Sequence, residues 1–275
     1  MKLLRKNRSV QNEEYYRKRD AILMSIIHIL LMLSIGVGGG FIAGLVGIGG
    51  SIIIYPAILL LPPLFGTPEY SAYIASGLTS SQVFFSTLSG SIRAIKEPDF
   101  NPPLVLYMGG GMLGGSVVGA MVANLLTTPV INAVYIGIAV LALVLMFIKV
   151  KPHADAGHSY NHWLLIAVGA IIGLVAGIIG AGGAFIIIPV LLAIFKLPMN
   201  TVVANSIVIA CMSSIGAFLI KLMQGYVPLG NAIFLIVGSV IFAPIGLKVG
   251  RLLPSIIQKA IISILIVVAI TELIF

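Results

Sequence analysis

GLVGIGGSIIIYP at residues 44–56 and GIIGAGGAFIIIP at residues 177–189 are two copies of one pattern. Seven of the 13 positions are identical, four glycines and the closing proline among them, and the copies start 133 residues apart, at 44 and 177. Each copy interrupts a long apolar run. Glycine disfavours helix by about 1 kcal/mol per residue relative to alanine, so four within seven residues predict a break. Short apolar runs follow, at 52–61 and 184–195. A helix of about 12 residues reaches only about 18 Å, whereas a hydrocarbon core is about 30 Å thick. The short runs therefore read as half-helices, re-entrant or part of a broken span.

Outward from these breaks the chain is apolar almost throughout. Of its 275 residues 59% are hydrophobic and 9% charged, against about 25% charged in a soluble domain. Long apolar runs lie near 22–45, 71–95, 103–126, 130–150, 162–180, 201–222, 228–250 and 255–274. Runs such as 261–270 do not alternate, which excludes a membrane β-barrel. The fold class is all-α: a polytopic transmembrane bundle of about eight spanning helices in two four-helix repeats. The organisation expected is a basic cytoplasmic segment at 1–20, a first repeat at 21–148, a cytoplasmic linker at 149–161 and a second repeat at 162–275.

The net charge of +8 is not a nucleic-acid signal, because seven of the 16 basic residues precede Asp20 and no basic face is interleaved with aromatics. Such a cluster beside an apolar span marks a cytoplasmic N-terminus at the cell membrane. With eight crossings, 12 basic residues fall inside and four outside; with ten, the split is eight and eight. The positive-inside rule thus favours eight, which would make the repeats parallel. Cys211 is the only cysteine, so no intrachain disulfide can form.

The candidate binding residues cluster at the breaks. Where a half-helix begins inside the protein, its first amides have no acceptor and the positive end of its dipole faces the break. Gly47, Gly49, Gly50, Gly180, Gly182 and Gly183 would form an anion nest of this kind. Ser76, Thr79, Ser80, Asn205 and Ser206 could complete the hydrogen-bond shell. Each has a blander reading. Glycines let helices approach closely, and hydroxyls bond their own helix backbone. Asn205 and Gln82 are the stronger polar candidates, since a buried amide needs several partners. Lys221, Lys248 and Arg251 lie toward span ends, where long side chains usually snorkel to the interface; the other reading is that they draw an anionic substrate toward the pore. His28 is the one group inside a span that could titrate near neutrality, and a packed histidine is the simpler reading. No cofactor is expected: the glycines precede no Gly-Lys-Ser/Thr and follow no strand.

Gly47-Ile48-Gly49-Gly50 and Gly180-Ala181-Gly182-Gly183 are each followed, six residues after the last glycine, by Pro56 and Pro189. Together with Ala75-Ser76-Gly77-Leu78 and Ala204-Asn205-Ser206-Ile207, this pattern resembles the sulfite exporter TauE/SafE family, also called the toluene-sulfonate uptake permease family. The resemblance covers most of the chain after the basic N-terminus. It implies a duplicated four-helix unit and transport of small organosulfur compounds or sulfur oxyanions.

The expectation is a secondary transporter whose partners are a small anionic substrate and the lipid bilayer, with a homo-oligomer compatible. A membrane scaffold or sensor subunit is the alternative, although the polar loops are short. An intramembrane enzyme is the remaining one. His158 and His162 are four apart, but no third ligand accompanies them.

Overall fold

The computed structural model describes residues 2–46, 51–148 and 161–274. Among them every regular element is helical: α1 (Lys2–Val46), α2 (Ser51–Leu64), α3 (Ala72–Ala94), α4 (Pro102–Val122), α5 (Thr128–Phe147), α6 (His162–Ile179), α7 (Ala184–Ala193), α8 (Met199–Met223), α9 (Leu229–Gly250) and α10 (Ser255–Ile274). The basic N-terminal segment is continuous with the first span, in one 45-residue helix. Local signals set the helix ends. Asn101 caps α4 with Pro102 at its first position, Asn161 caps α6, and Gly180 closes α6 in the left-handed conformation.

Six helical stretches are long and apolar enough to cross a membrane: Leu23–Val46, Pro102–Leu125, Thr128–Phe147, His162–Ile179, Met199–Met223 and Leu229–Gly250. Large apolar side chains such as Leu106, Ile171, Ile241 and Val144 are exposed on the outside, as lipid-facing residues would be. The chain is a multi-pass membrane protein. α3 matches these spans in length but carries the run of serines and threonines, all but Ser89 of which are buried.

Glycines decide how the spans pack. α1 runs alongside α9 in the same direction, with Gly36 against Leu235, Gly40 against Ser239 and Gly44 against Ala243. α4 runs alongside α6 likewise, with Gly111 against Ile166, Gly115 against Ala170 and Gly119 against Leu174. In each case a Cβ would run into the partner's backbone, so the helices touch main chain to main chain. Gly44 and Gly177, which the sequence pattern groups with the breaks, thus serve packing: Gly177 lies inside α6 against Ser116.

α3 and α8 run antiparallel. Gly77 near the start of α3 meets Tyr226 beyond the end of α8, and Gly90 near the end of α3 meets Ile207 near the start of α8. Parallel halves would make these two helices run the same way. The short helices carry the chain back across the bundle instead of dipping in and returning. α2 runs back along α1, with Ile54 at Gly39 and Gly66 at Met24. α7 leads from the Ser76 end of α3 to its far end, where Asn205 of α8 binds Asn101.

Proline shapes both return helices. Pro56 lacks the N–H that would pair with the Ile52 carbonyl, and the Tyr135 hydroxyl of α5 donates to that carbonyl instead, at 2.5 Å. At the other end of α2, His28, Tyr70 and Asn231 tie three segments together. The Asn231 amide donates to the Tyr70 hydroxyl (2.6 Å), which leaves the phenol proton for His28 Nε2 (2.8 Å). His28 is therefore a packed, hydrogen-bonded residue.

Candidate functional site

The second glycine-rich stretch forms a sharp break between α6 and α7. Gly180, Gly182 and Gly183 have φ of 79°, 60° and 68°, a region that costs an L-residue about 1–2 kcal/mol. Ala181 N–H bonds back to Ala176, closing α6 (3.0 Å). Ile186 and Ile187 both donate to the Gly183 carbonyl at 3.1 Å, opening α7. Between these bonds the amides of Gly182, Gly183 and Phe185 have no acceptor among the described residues, and all three residues are buried. A helix N-terminus has been placed inside the protein with its donors unmet. No side chain caps it.

Three helices wall the break, with Met112 of α4 against Gly183. Gly182 faces Val83 of α3 and Ala210 and Ser214 of α8, and Gly180 lies on the Ser76 carbonyl. Ser76 is thus brought to the break, and Thr79 and Ser80 lie within a turn of it along α3. Asn205 and Ser206 are at the opposite end of the bundle. The first stretch's Gly47, Gly49 and Gly50 lie outside the described residues. Just after it, Ser51 opens α2 with a buried hydroxyl that has no partner among the described residues.

The hydroxyls are already engaged. Ser76, Thr79, Ser80 and Ser206 donate to the carbonyls of Tyr73 (2.8 Å), Ala75 (2.7 Å), Gly77 (2.8 Å) and Val203 (3.3 Å). A hydroxyl has one proton, so each would have to rotate off its own helix to serve an anion. Asn205 accepts from Asn101 N–H (2.7 Å) and donates to the carbonyls of Asp99 (2.9 Å) and Thr201 (2.7 Å). It fastens the start of α8 to the turn before α4. Asn205→Ala is expected to cost about 2–3 kcal/mol of stability, read as a lower unfolding midpoint in detergent.

Gln82 differs. It is fully buried, and neither its amide nitrogen nor its oxygen has a partner among the described residues. Its Nε2 faces α1, 3.9 Å from where a Cβ of Gly39 would stand. The next residue, Val83, faces Gly182, so the middle turn of α3 lies between α1 and the α6–α7 break.

Lys221 departs most from the sequence reading. It does not snorkel: it is 0% exposed, and its Nζ reaches the Ile178 carbonyl at 3.4 Å, two residues before Gly180. Snorkelling needs a helix end that faces water or headgroups, and the end of α8 is covered by α6. Arg251 pairs with Glu97. Among the described residues no group of three or more histidine, cysteine or acidic side chains could hold a metal. His162 stacks on Tyr107 at 4.0 Å, and His158 lies outside the described residues.

The profile of a protein family described as sulfite exporter TauE/SafE matches residues 32–271. The chain belongs to the TauE/SafE family. Its relatives point the same way. A probable membrane transporter protein of Bacillus subtilis strain 168, YunE, is 25% identical over 88% of this chain and 94% of its own length. A second from that organism, YdhB, is also 25% identical, over 86% of this chain and 94% of its own length. A probable membrane transporter protein of Methanocaldococcus jannaschii is 26% identical over 80% and 86%. No solved structure matches the chain. The TauE/SafE assignment makes this a member of a membrane transporter family, and the match spans both glycine-rich stretches.

Proposed function

We propose that this protein is a secondary transporter of a small anion: sulfite, a sulfonate or a related sulfur oxyanion. The observation that carries the reading is the N-terminus of α7, which begins inside the bundle with the amides of Gly182, Gly183 and Phe185 unmet. Such donors favour negative charge and replace part of an ion's hydration shell. The lone buried Lys221 near the same break adds positive potential. Gln82 offers a further unmet donor on the neighbouring turn.

The two halves act as inverted repeats, each with its own glycine-rich stretch and return helix, and the anion binds between them. The matching pairs α1–α9 and α6–α4 and the antiparallel α3–α8 pair support this arrangement. Alternating access then follows from one half rocking against the other about the α3–α8 contact. The N-terminus is cytoplasmic, on the strength of its basic residues.

Proteoliposomes loaded in turn with sulfite, sulfonates, thiosulfate and small carboxylates test the substrate. Saturable flux selective for a sulfur oxyanion is expected; none with any member of the panel would overturn the reading. Topology is tested by Asn7→Cys and Asp155→Cys in a Cys211→Ser background. Inverted halves put these two positions on opposite faces of the membrane. Labelling of both from one face would restore the parallel arrangement.

A further inference from the structure

Lys221 is the one lysine or arginine that is buried among the described residues with known exposure, and it has no counter-charge. α3, α4, α6 and α7 pack against α8. Their titratable and charged groups are few: Tyr73 and Arg93 on α3, Tyr107 on α4, His162 on α6 and none on α7. Arg93, Tyr107 and His162 belong to the opposite end of the bundle, where α4 and α6 begin and α3 ends. At Lys221's end stand two phenols, Tyr73 and Tyr226, stacked at 5.4 Å. Glu69, in the loop before α3, is exposed and makes no ion pair among the described residues.

One carbonyl at 3.4 Å is all that meets the three protons of an ammonium. A charge in such surroundings is tolerated only beside an opposite one. Two states meet that condition: the neutral amine alone, and the ammonium with an anion beside it. They differ by one proton and one anion.

We propose that Lys221 couples anion movement to protons, as the group that carries one proton for each anion bound. This rests on the anion-transport reading above. On loading, the amine nitrogen takes a proton from a hydronium ion of the entry side: one O–H bond breaks, one N–H bond forms, and a water molecule is left behind as the anion enters. On release that bond breaks and the proton leaves with the anion to the other side. The loaded carrier is neutral overall at this site, and so is the empty one. Transport is a one-to-one proton–anion symport.

The test uses the full-length protein in proteoliposomes and the anion chosen by the flux panel, preferably a sulfonate, whose charge does not follow pH. A gradient of one pH unit should drive about tenfold accumulation on the alkaline side, insensitive to membrane potential. Lys221→Arg keeps the charge but cannot release a proton. It should lose accumulation driven by the pH gradient, read relative to its own rate of anion exchange between equal pools. Lys221→Met should raise the anion concentration for half-saturation by at least about tenfold. Wild-type exchange that ignores the pH gradient would overturn the coupling while leaving transport intact, as would Lys221→Arg accumulating like the wild type. Absence of any exchange in the wild type would remove the transport reading, and the coupling with it.

Discussion

Gly182→Val is expected to abolish saturable anion flux while Gly225→Ala leaves it intact. Both glycines have positive φ, 60° and 77°, so both substitutions bear the strain of a left-handed side chain. Their surroundings differ. A Cβ on Gly182 would stand 2.8 Å from Val83 Cγ1 and 3.3 Å from Ser214 Cβ, whereas nothing lies within 4 Å of one on Gly225. The added bulk at Gly182 can be relieved only by moving the break away from α3 and α8, which carries the unmet amides with it. Hydrogen bonds to a charged group are worth about 1.5–3 kcal/mol each, so displacing two weakens anion binding by about 10²–10⁴. Flux and binding should be measured at matched reconstitution, with monodispersity in detergent as the folding check. Normal flux in a well-folded Gly182→Val protein would mean that these amides do not hold the anion.

The second large effect belongs to the helix seam. Gly119→Val should lower the unfolding midpoint by about 5–10 °C, because overpacking a seam costs about 1–3 kcal/mol and here the obstacle is backbone. Gly114→Val, five residues earlier in the same helix, should be near neutral. A Cβ at 119 runs into the Leu174 carbonyl, whereas one at 114 meets open space. Helix propensity treats the two glycines alike, so any difference reports the main-chain contact with α6. Equal midpoints for the two variants would show that α4 and α6 are not in main-chain contact at Gly119.

Much of the fold is legible before any coordinates. The apolar runs forecast the helices to within a few residues except at the start of α1, which begins at Lys2 instead of near 22, and the duplicated GxxGxGG pattern located the α6–α7 break. It could not separate the two jobs that glycine does. In 177–183 one glycine lies in a helix seam and three make a break, yet the motif writes all four with one letter. The serines and threonines of α3 suffered the same ambiguity, and geometry gave most of them to their own helix. Lys221 was misplaced because a lysine near a span end is read as facing water, and only the packing of α6 over that end says otherwise.

Local chemistry is what the amino-acid order determined here: which stretches dissolve in lipid, where glycine breaks a helix, where proline and asparagine begin one, and which family the chain resembles. The relative direction of α3 and α8 was decided by tertiary structure alone. Charge counting stood eight against eight for ten crossings and preferred eight crossings instead, because it weighs loops and cannot feel contacts between spans. The direction of α3 against α8 is fixed by which residues touch, Gly77 with Tyr226 and Gly90 with Ile207. Those contacts join positions more than a hundred residues apart, and no periodicity within either helix records them.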